Sequence, residues 1–324
     1  MTIFLVTVLV TVLGIFNWTL LAKPDWRDWR SWWHPVPSIR ELWPDQKPAA
    51  AAPIQEAAKP MLKDDHEPFV LSATSGLAFD LNYNFYLFEK DADLTLPIAS
   101  ISKLMAALVF LDHNPGWNET YAIREDDKRE GNRLNLFPGE QVYVRDIFYS
   151  ALVASDNSAI ISLMNTTGLG EKDFVAAMNQ KAKDLNMTKT NFVEPTGLSD
   201  NNVSTARDVA RLVAASMQDL DVRRAVLADH YELEILNARG LARRAAKRVI
   251  KNTDQLLRNN QLDVKIIGGK TGFLTKAGYC FAGSFQKDDQ RIVTVVLGSP
   301  DPDARFAETK RLLDWVFDNY DFPN

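Results

Sequence analysis

Residues 96–111 read LPIASISKLMAALVFL. Ile101, Leu104, Met105, Leu108 and Leu111 recur at the three- and four-residue spacing of a helix with one buried face. Pro97 suits the start of such a helix. Ser100 and Lys103 stand three residues apart, so on one helix they share a face. Before this stretch, 75–81 and 85–89 are short β-type runs split by Asn82-Tyr83-Asn84, as in a hairpin. After it comes a helical middle, looser in period around Ile147, Leu152 and 160–163. Ser204 or Thr205 is placed to cap a further helix reaching Met217. Strands return at 264–267, 278–285 and 292–297, and a last helix spans about 304–320. Strands, then helices, then strands and a helix predict an α+β domain, a sheet packed with helices.

The flanks divide the chain further. No charged side chain occurs from Met1 to Ala22, and 3–22 is about the ~20 apolar residues that cross a bilayer. Trp18, Trp26, Trp29, Trp32, Trp33 and Trp43 cluster at and beyond its end, like an interfacial aromatic belt. An uncleaved membrane anchor and a cleaved signal segment both fit residues 1–22. The absence of a basic n-region and of a small-residue cleavage site favours the anchor. Lys23, Arg27 and Arg30 pull the other way, because the positive-inside rule would put that flank in the cytoplasm. Residues 23–68 are a Trp-rich juxtamembrane stretch and then a Pro- and Ala-rich linker, leaving 69–324 as one folded domain. A lone Cys280 excludes a disulfide framework and multi-cysteine metal sites. Four scattered histidines show no metal-binding spacing, and a net charge of −5 argues against nucleic-acid binding through a basic surface.

Three short patterns carry chemistry. A serine hydroxyl is a weak nucleophile until a base takes its proton, and a desolvated lysine can do that. Ser100–Lys103 offers the pair, and the apolar run behind it supplies the desolvation. Ser284–Lys287 repeats the spacing, but Asp288-Asp289-Gln290 after it reads as a hairpin turn, which makes that lysine strand-borne and solvated. Ser155-Asp156-Asn157 presents a hydroxyl and an amide two apart, able to relay a proton and bind a substrate amide. Ser199-Asp200-Asn201 repeats it, and either copy alone reads equally as a cap or turn. Lys270-Thr271-Gly272 occurs once, on a strand-like run, where Gly permits close backbone approach and the edge can accept an extended substrate.

Taken in order, Ser–x–x–Lys, Ser–x–Asn and Lys–Thr–Gly form the motif set of penicillin-binding proteins and class A β-lactamases. The order selects Ser100 over Ser284 and Ser155 over Ser199. From Ser75 onward the chain resembles the D-alanyl-D-alanine carboxypeptidase family, the low-molecular-mass penicillin-binding proteins. The resemblance lies in LPIASISKLMAALVFL, LFPGEQVYVRDIFYSALVASDNSAI, MNQKAKDLNMTKTNF, PTGLSDNNVSTARDVARL and GGKTGFLTKAGYCFAG. It implies a serine DD-peptidase, β-lactamase-like fold, a mostly antiparallel sheet flanked by helices plus a helical region, with Ser100 as acyl-enzyme nucleophile and Lys103 as general base. Ser155 would pass a proton and Asn157 hold the substrate amide. Lys270 and Thr271, with Gly272, would meet the substrate carboxylate. The oxyanion hole would be the backbone N–H groups of Ser100 and Phe273. No metal or organic cofactor is implied. The implied partners are peptidoglycan stem peptides, β-lactams as covalent inhibitors, and the membrane through the N-terminal segment. The implied location is outside the cytoplasmic membrane, which outweighs the flanking charges because large domains translocate largely regardless of them.

The resemblance has limits. The chain ends soon after LLDWVF, without the C-terminal β-domain and anchor of many carboxypeptidases, so a DD-endopeptidase that cuts crosslinks also fits. Glu194-Pro195 resembles the deacylating segment of β-lactamases, although the Thr196-Gly197-Leu198 that follows fits a peptidase better. A non-catalytic peptidoglycan-binding protein is the remaining alternative, disfavoured by the complete motif set. Arg305, at the start of the last helix, would reach the substrate's terminal carboxylate, or else be an exposed residue pairing with Asp301 or Glu308. The basic run 239–251 reads as a solvated hairpin face or as a patch attracted to anionic wall polymers.

Overall fold

Asp80 closes the first hairpin. Its Oδ1 accepts the backbone N–H groups of Asn82 at 2.7 Å and Tyr83 at 3.1 Å, while Asn84 takes the left-handed conformation (φ 52°) that completes the turn. The flanking strands are β1 (Ser75–Asp80) and β2 (Phe85–Lys90). The computed structural model describes residues 59–131, 135–237, 247–258 and 262–323. Three long strands complete the sheet: β3 (Lys265–Leu274), β4 (Gly278–Lys287) and β5 (Gln290–Ser299). The order is β3-β4-β5-β1-β2, antiparallel throughout. The strand bearing Lys270 and Thr271 is therefore an edge.

Alternation along the central strands feeds two cores. Leu77, Phe79, Val293, Val295 and Leu297 point to one face, and Ala78, Phe281, Phe285 and Ile292 to the other. The first face is covered by α1 (Ser102–Asp112), α2 (Val144–Val153), α3 (Asn157–Thr166), α4 (Glu171–Asp184), α5 (Ala206–Ser216) and α6 (Leu220–Leu227), which build the larger core. The second is covered by α7 (Ala304–Asn319), through Phe306, Leu312, Leu313 and Val316. Both faces are covered, which is why all six residues of β1 are buried. Thr205 caps α5, its hydroxyl accepting the Asp208 N–H at 3.1 Å, while Ser204 lies in the two-residue strand before it.

Two expectations shift. Pro97 does not open the helix. Leu96–Pro97 pairs with Val203–Ser204 as a short ladder, a 3₁₀ turn spans Ala99–Ile101, and only then does α1 begin. Ser100 thus lies on the turn and Lys103 in the first turn of the helix. The folded unit also reaches back past the boundary at 68. Met61–Leu62 pairs with Tyr320–Asp321, and Trp315 donates its indole N–H to the Glu67 carbonyl at 2.6 Å. The proline- and alanine-rich composition conceals this because the ties use backbone groups. The expected membrane segment at 1–22 lies outside the described residues. Among the described residues no helix is long and apolar enough to cross a membrane.

Candidate active site

Helix α1 is buried almost all round, so Lys103 has no water to solvate an ammonium. Burial pulls its amine down to about 7, although the carboxylates of Glu194 and Asp156 pull the other way. Its Nζ has three partners: Ser100 Oγ at 2.9 Å, Asn157 Oδ1 at 2.6 Å and the Thr196 carbonyl at 2.6 Å. A neutral amine has two N–H donors and one lone pair. Two partners can only accept, so they take the donors, and the lone pair is left for the one partner that carries a proton, Ser100. The arrangement makes Lys103 a base aimed at the hydroxyl.

The turn holding Ser100 is pinned by close backbone approach. Ala99 is left-handed (φ 48°) without being glycine, a strain of about 1–2 kcal/mol. A Cβ at Gly197 would lie 2.0 Å from the Ala99 carbonyl oxygen, and one at Gly272 would lie 2.8 Å from the Ile98 carbonyl oxygen and 3.4 Å from the Ser100 nitrogen. Only glycine lets the loop at 197 and the edge strand at 272 close on the turn from two sides. That places β3, with Phe273 next in line, against the backbone of Ser100.

The opposite wall is the link between α2 and α3. Ser155 is left-handed (φ 57°), and Asp156 caps α3 by accepting the N–H groups of Ser158 at 2.9 Å and Ala159 at 3.2 Å. The other Asp156 oxygen accepts from Asn135 N at 3.0 Å, so one carboxylate fixes the whole link. Asn157 is oriented at both ends: Oδ1 accepts from Lys103, and Nδ2 donates to the Glu130 carbonyl at 3.0 Å. Across the cleft, Lys270 Nζ donates to Ser155 Oγ at 2.9 Å. Burial, with Lys103 and Arg305 nearby, holds Lys270 well below the usual lysine range. Thr271 Oγ1 lies 2.7 Å from Thr253 Oγ1.

Ser100, Lys103, Ser155, Asn157, Lys270, Thr271 and Gly272 therefore converge. Phe273 is half exposed and stacks on Tyr279 with ring centroids 4.3 Å apart. Arg305 is buried, not an exposed helix-start residue. Its Nη1 donates to the Gly272 carbonyl at 3.1 Å and lies 3.5 Å from that of Cys280, just behind the Lys-Thr-Gly strand. The duplicate motifs stand elsewhere. Ser284 is buried within β4, and Lys287 pairs with Asp263 at 2.8 Å on the surface. Ser199 Oγ accepts the Asn201 N–H at 3.2 Å, a local turn.

Two residues have roles that motif matching does not give. Glu194 organises the loop over Lys103. One oxygen accepts from Thr196 N and Thr196 Oγ1 at 2.6 Å each, and the other from Gly197 N at 2.7 Å, Asn202 Nδ2 at 3.1 Å and Ser199 N at 3.3 Å. A carboxylate with both oxygens spent on its own loop has no lone pair directed at a hydrolytic water, which counts against the β-lactamase alternative. Thr253 is the second; its contact with Thr271 spans a gap of 18 residues that no local pattern reveals. The acid–x–Thr–Gly order at 194–197 is a readable turn signal, but not one that points to Lys103.

A serine facing a desolvated amine, beside a second hydroxyl held by a second buried lysine at an open sheet edge, defines a nucleophilic serine hydrolase with a lysine base. The sequence profile described as D-alanyl-D-alanine carboxypeptidase matches residues 62–301. A D-alanyl-D-alanine endopeptidase of Pseudomonas aeruginosa is 34% identical, over 82% of this chain and 82% of that one. The D-alanyl-D-alanine endopeptidase of Escherichia coli is 33% identical over 76% and 77%. The solved D-alanyl-D-alanine carboxypeptidase from Mycobacterium tuberculosis matches with a TM-score of 0.70 at 26% identity, over 80% of this chain and 96% of that one. The chain belongs to the D-alanyl-D-alanine carboxypeptidase family and is a serine-type D-Ala-D-Ala peptidase.

Proposed function

We propose that this enzyme acts as a carboxypeptidase on peptidoglycan stem peptides, through an acyl-enzyme at Ser100. Ser100 Oγ attacks the carbonyl of the penultimate D-alanine while its proton passes to Lys103 Nζ. The C–N bond then breaks, and the departing amine takes a proton through Ser155, which Lys270 holds in place. Water hydrolyses the ester, and Ser100 is regenerated. Asn157 holds the substrate amide. Lys270 and Thr271 receive the terminal carboxylate, and Arg305 adds positive charge behind them. The backbone N–H groups of Ser100 and Phe273 meet the oxyanion, where one such donor is worth about 3–4 kcal/mol. A β-lactam would be trapped at the same ester. The observation that carries this reading is the three-partner environment of Lys103, which leaves its lone pair for Ser100 alone. The apolar segment 3–22 would anchor the enzyme in the cytoplasmic membrane with its catalytic domain outside.

The test is intact-protein mass after penicillin: one adduct on the peptide containing Ser100, and none in Ser100→Ala. Adduct formation in that variant would overturn the nucleophile. The endopeptidase reading has its own support, the names of the relatives at 34% and 33% identity. Products from a pentapeptide monomer and a crosslinked dimer separate the two activities.

A further inference from the structure

A pocket of about 340 Å³ opens beside the site, lined by Asn135, Phe137, Ala154, Arg248, Ile250 and Lys251, with Val249 on its lip. It is joined to the reacting groups by covalent neighbours. Ala154 precedes Ser155. Lys251 stands two residues before Thr253, whose hydroxyl meets Thr271 and whose N–H donates to the Val153 carbonyl at 3.1 Å. Lys270 and Thr271 seat the carboxylate of the departing residue, and Ser155 delivers its proton. The pocket therefore borders the groups to which the proposed mechanism gives the departing residue. When the departing residue is a single D-alanine, nothing reaches it. When the scissile bond is a crosslink, the departing half is a second stem peptide, which continues in that direction.

The chemistry of the walls fits such an occupant. Arg248 is already spent: its guanidinium pairs with Glu140 at 2.6 and 3.0 Å and lies over the Phe137 ring, 4.7 Å from its centroid. Lys251 is exposed, and among the described residues its ammonium has no ion-pair partner. Phe137 and Val249 are large apolar side chains left 45% and 58% exposed at the rim. A cation that, among the described residues, holds no ion pair, beside an apolar lip, matches a peptide strand that carries a carboxylate and aliphatic side chains.

We infer that this pocket is a leaving-strand subsite, in which Lys251 binds a carboxylate of the second stem peptide of a crosslink. The inference rests on the DD-peptidase reading above, in its endopeptidase form, and names the residue that holds the departing strand when a crosslink is cut. A partly exposed ion pair contributes modestly, so its removal should lower kcat/KM on the dimer about five-fold, and charge reversal about ten-fold or more, chiefly through KM.

The experiment uses the full chain and its Lys251→Ala and Lys251→Glu variants. It measures turnover of a crosslinked muropeptide dimer, of the same dimer with the departing strand's carboxylates amidated, and of a pentapeptide monomer. Penicillin acylation is run alongside. The expected result is a fall in the dimer-to-monomer ratio in both variants, larger for glutamate, with the amidated dimer insensitive to either change. A ratio that stays constant, or an amidated dimer that responds as strongly as the free acid, overturns the subsite. So does a wild-type enzyme that takes up penicillin normally yet leaves the dimer uncut. Loss of penicillin acylation in the wild type strikes instead at the Ser100 reading itself.

Discussion

Lys103 works as a base only while neutral. Its burial-lowered pKa of about 7 places the change within the working range. Because the protonated amine has no lone pair, penicillin acylation should rise with pH through about 7 and level off above it; stopped-flow traces between about pH 5.5 and 8.5 check this. Lys103→Ala should lose about 10²–10⁴ in acylation rate and, with it, that rising limb. A variant that keeps the limb would assign the titration to another group. Glu194 makes a separate case. If it holds the loop, Glu194→Gln replaces one of its two acceptor oxygens by an amide donor, which leaves two or three of its five donors unmet and lets the Thr196 carbonyl leave Lys103, so acylation itself should slow about ten-fold and melting should fall by several degrees. Normal acylation followed by a trapped acyl-enzyme would instead make Glu194 the deacylating residue.

At the scale of elements, the site is a junction where a turn, a loop and an edge strand press together with no room for a methyl group. Gly197→Ala meets two penalties, a left-handed backbone (φ 84°) and a Cβ 2.0 Å from a carbonyl oxygen. It should cost about 2–4 kcal/mol and displace Ser100, so a thermal melt and a labelling time course should both show the loss. This junction also marks the limit of what the sequence discloses. The hairpin, the three late strands, the last helix and the cap at Thr205 were legible because each is written in local periodicity and turn chemistry. The true Ser–Lys and Ser–x–Asn copies were separable from their duplicates only by motif order, since Ser284 and Ser199 satisfy the same spacing. The turn geometry at Ala99, the knot at Glu194 and the Thr253–Thr271 contact were not legible, because each depends on which distant backbone arrives there. Arg305 shows the same dependence: its neighbours suggested an exposed helix-start residue, whereas the side chain is buried and its Nη1 donates to the Gly272 carbonyl behind the strand.

For the whole molecule, the boundary near residue 60 has measurable weight. A chain that begins at residue 59 keeps the Met61–Leu62 ladder, the Lys63 ties and the Glu67 carbonyl, so that truncation should take up penicillin and serves as the reference. Removing 1–68 also deletes the Met61–Leu62 ladder, the Lys63 ties to Asn319 and Asp318, and the carbonyl that receives the Trp315 indole. That loss should lower the melting temperature by about 2–4 °C for each kcal/mol it removes, while labelling at Ser100 persists because the clasp is tied to α7 and the residues after it.

The same ladder brings the first and last described segments side by side, with Met61 opposite Asp321. A short linker can therefore join them, and new ends can be opened at Gly168–Gly170, where glycine Cβ positions face open space. The ladder thus predicts an architecture independent of the order in which translation delivers its parts, which folding and penicillin labelling of the permuted chain would check. A circular permutant would begin with α4, emit the edge strand and its lysine before the nucleophile's helix, and still assemble the same cleft.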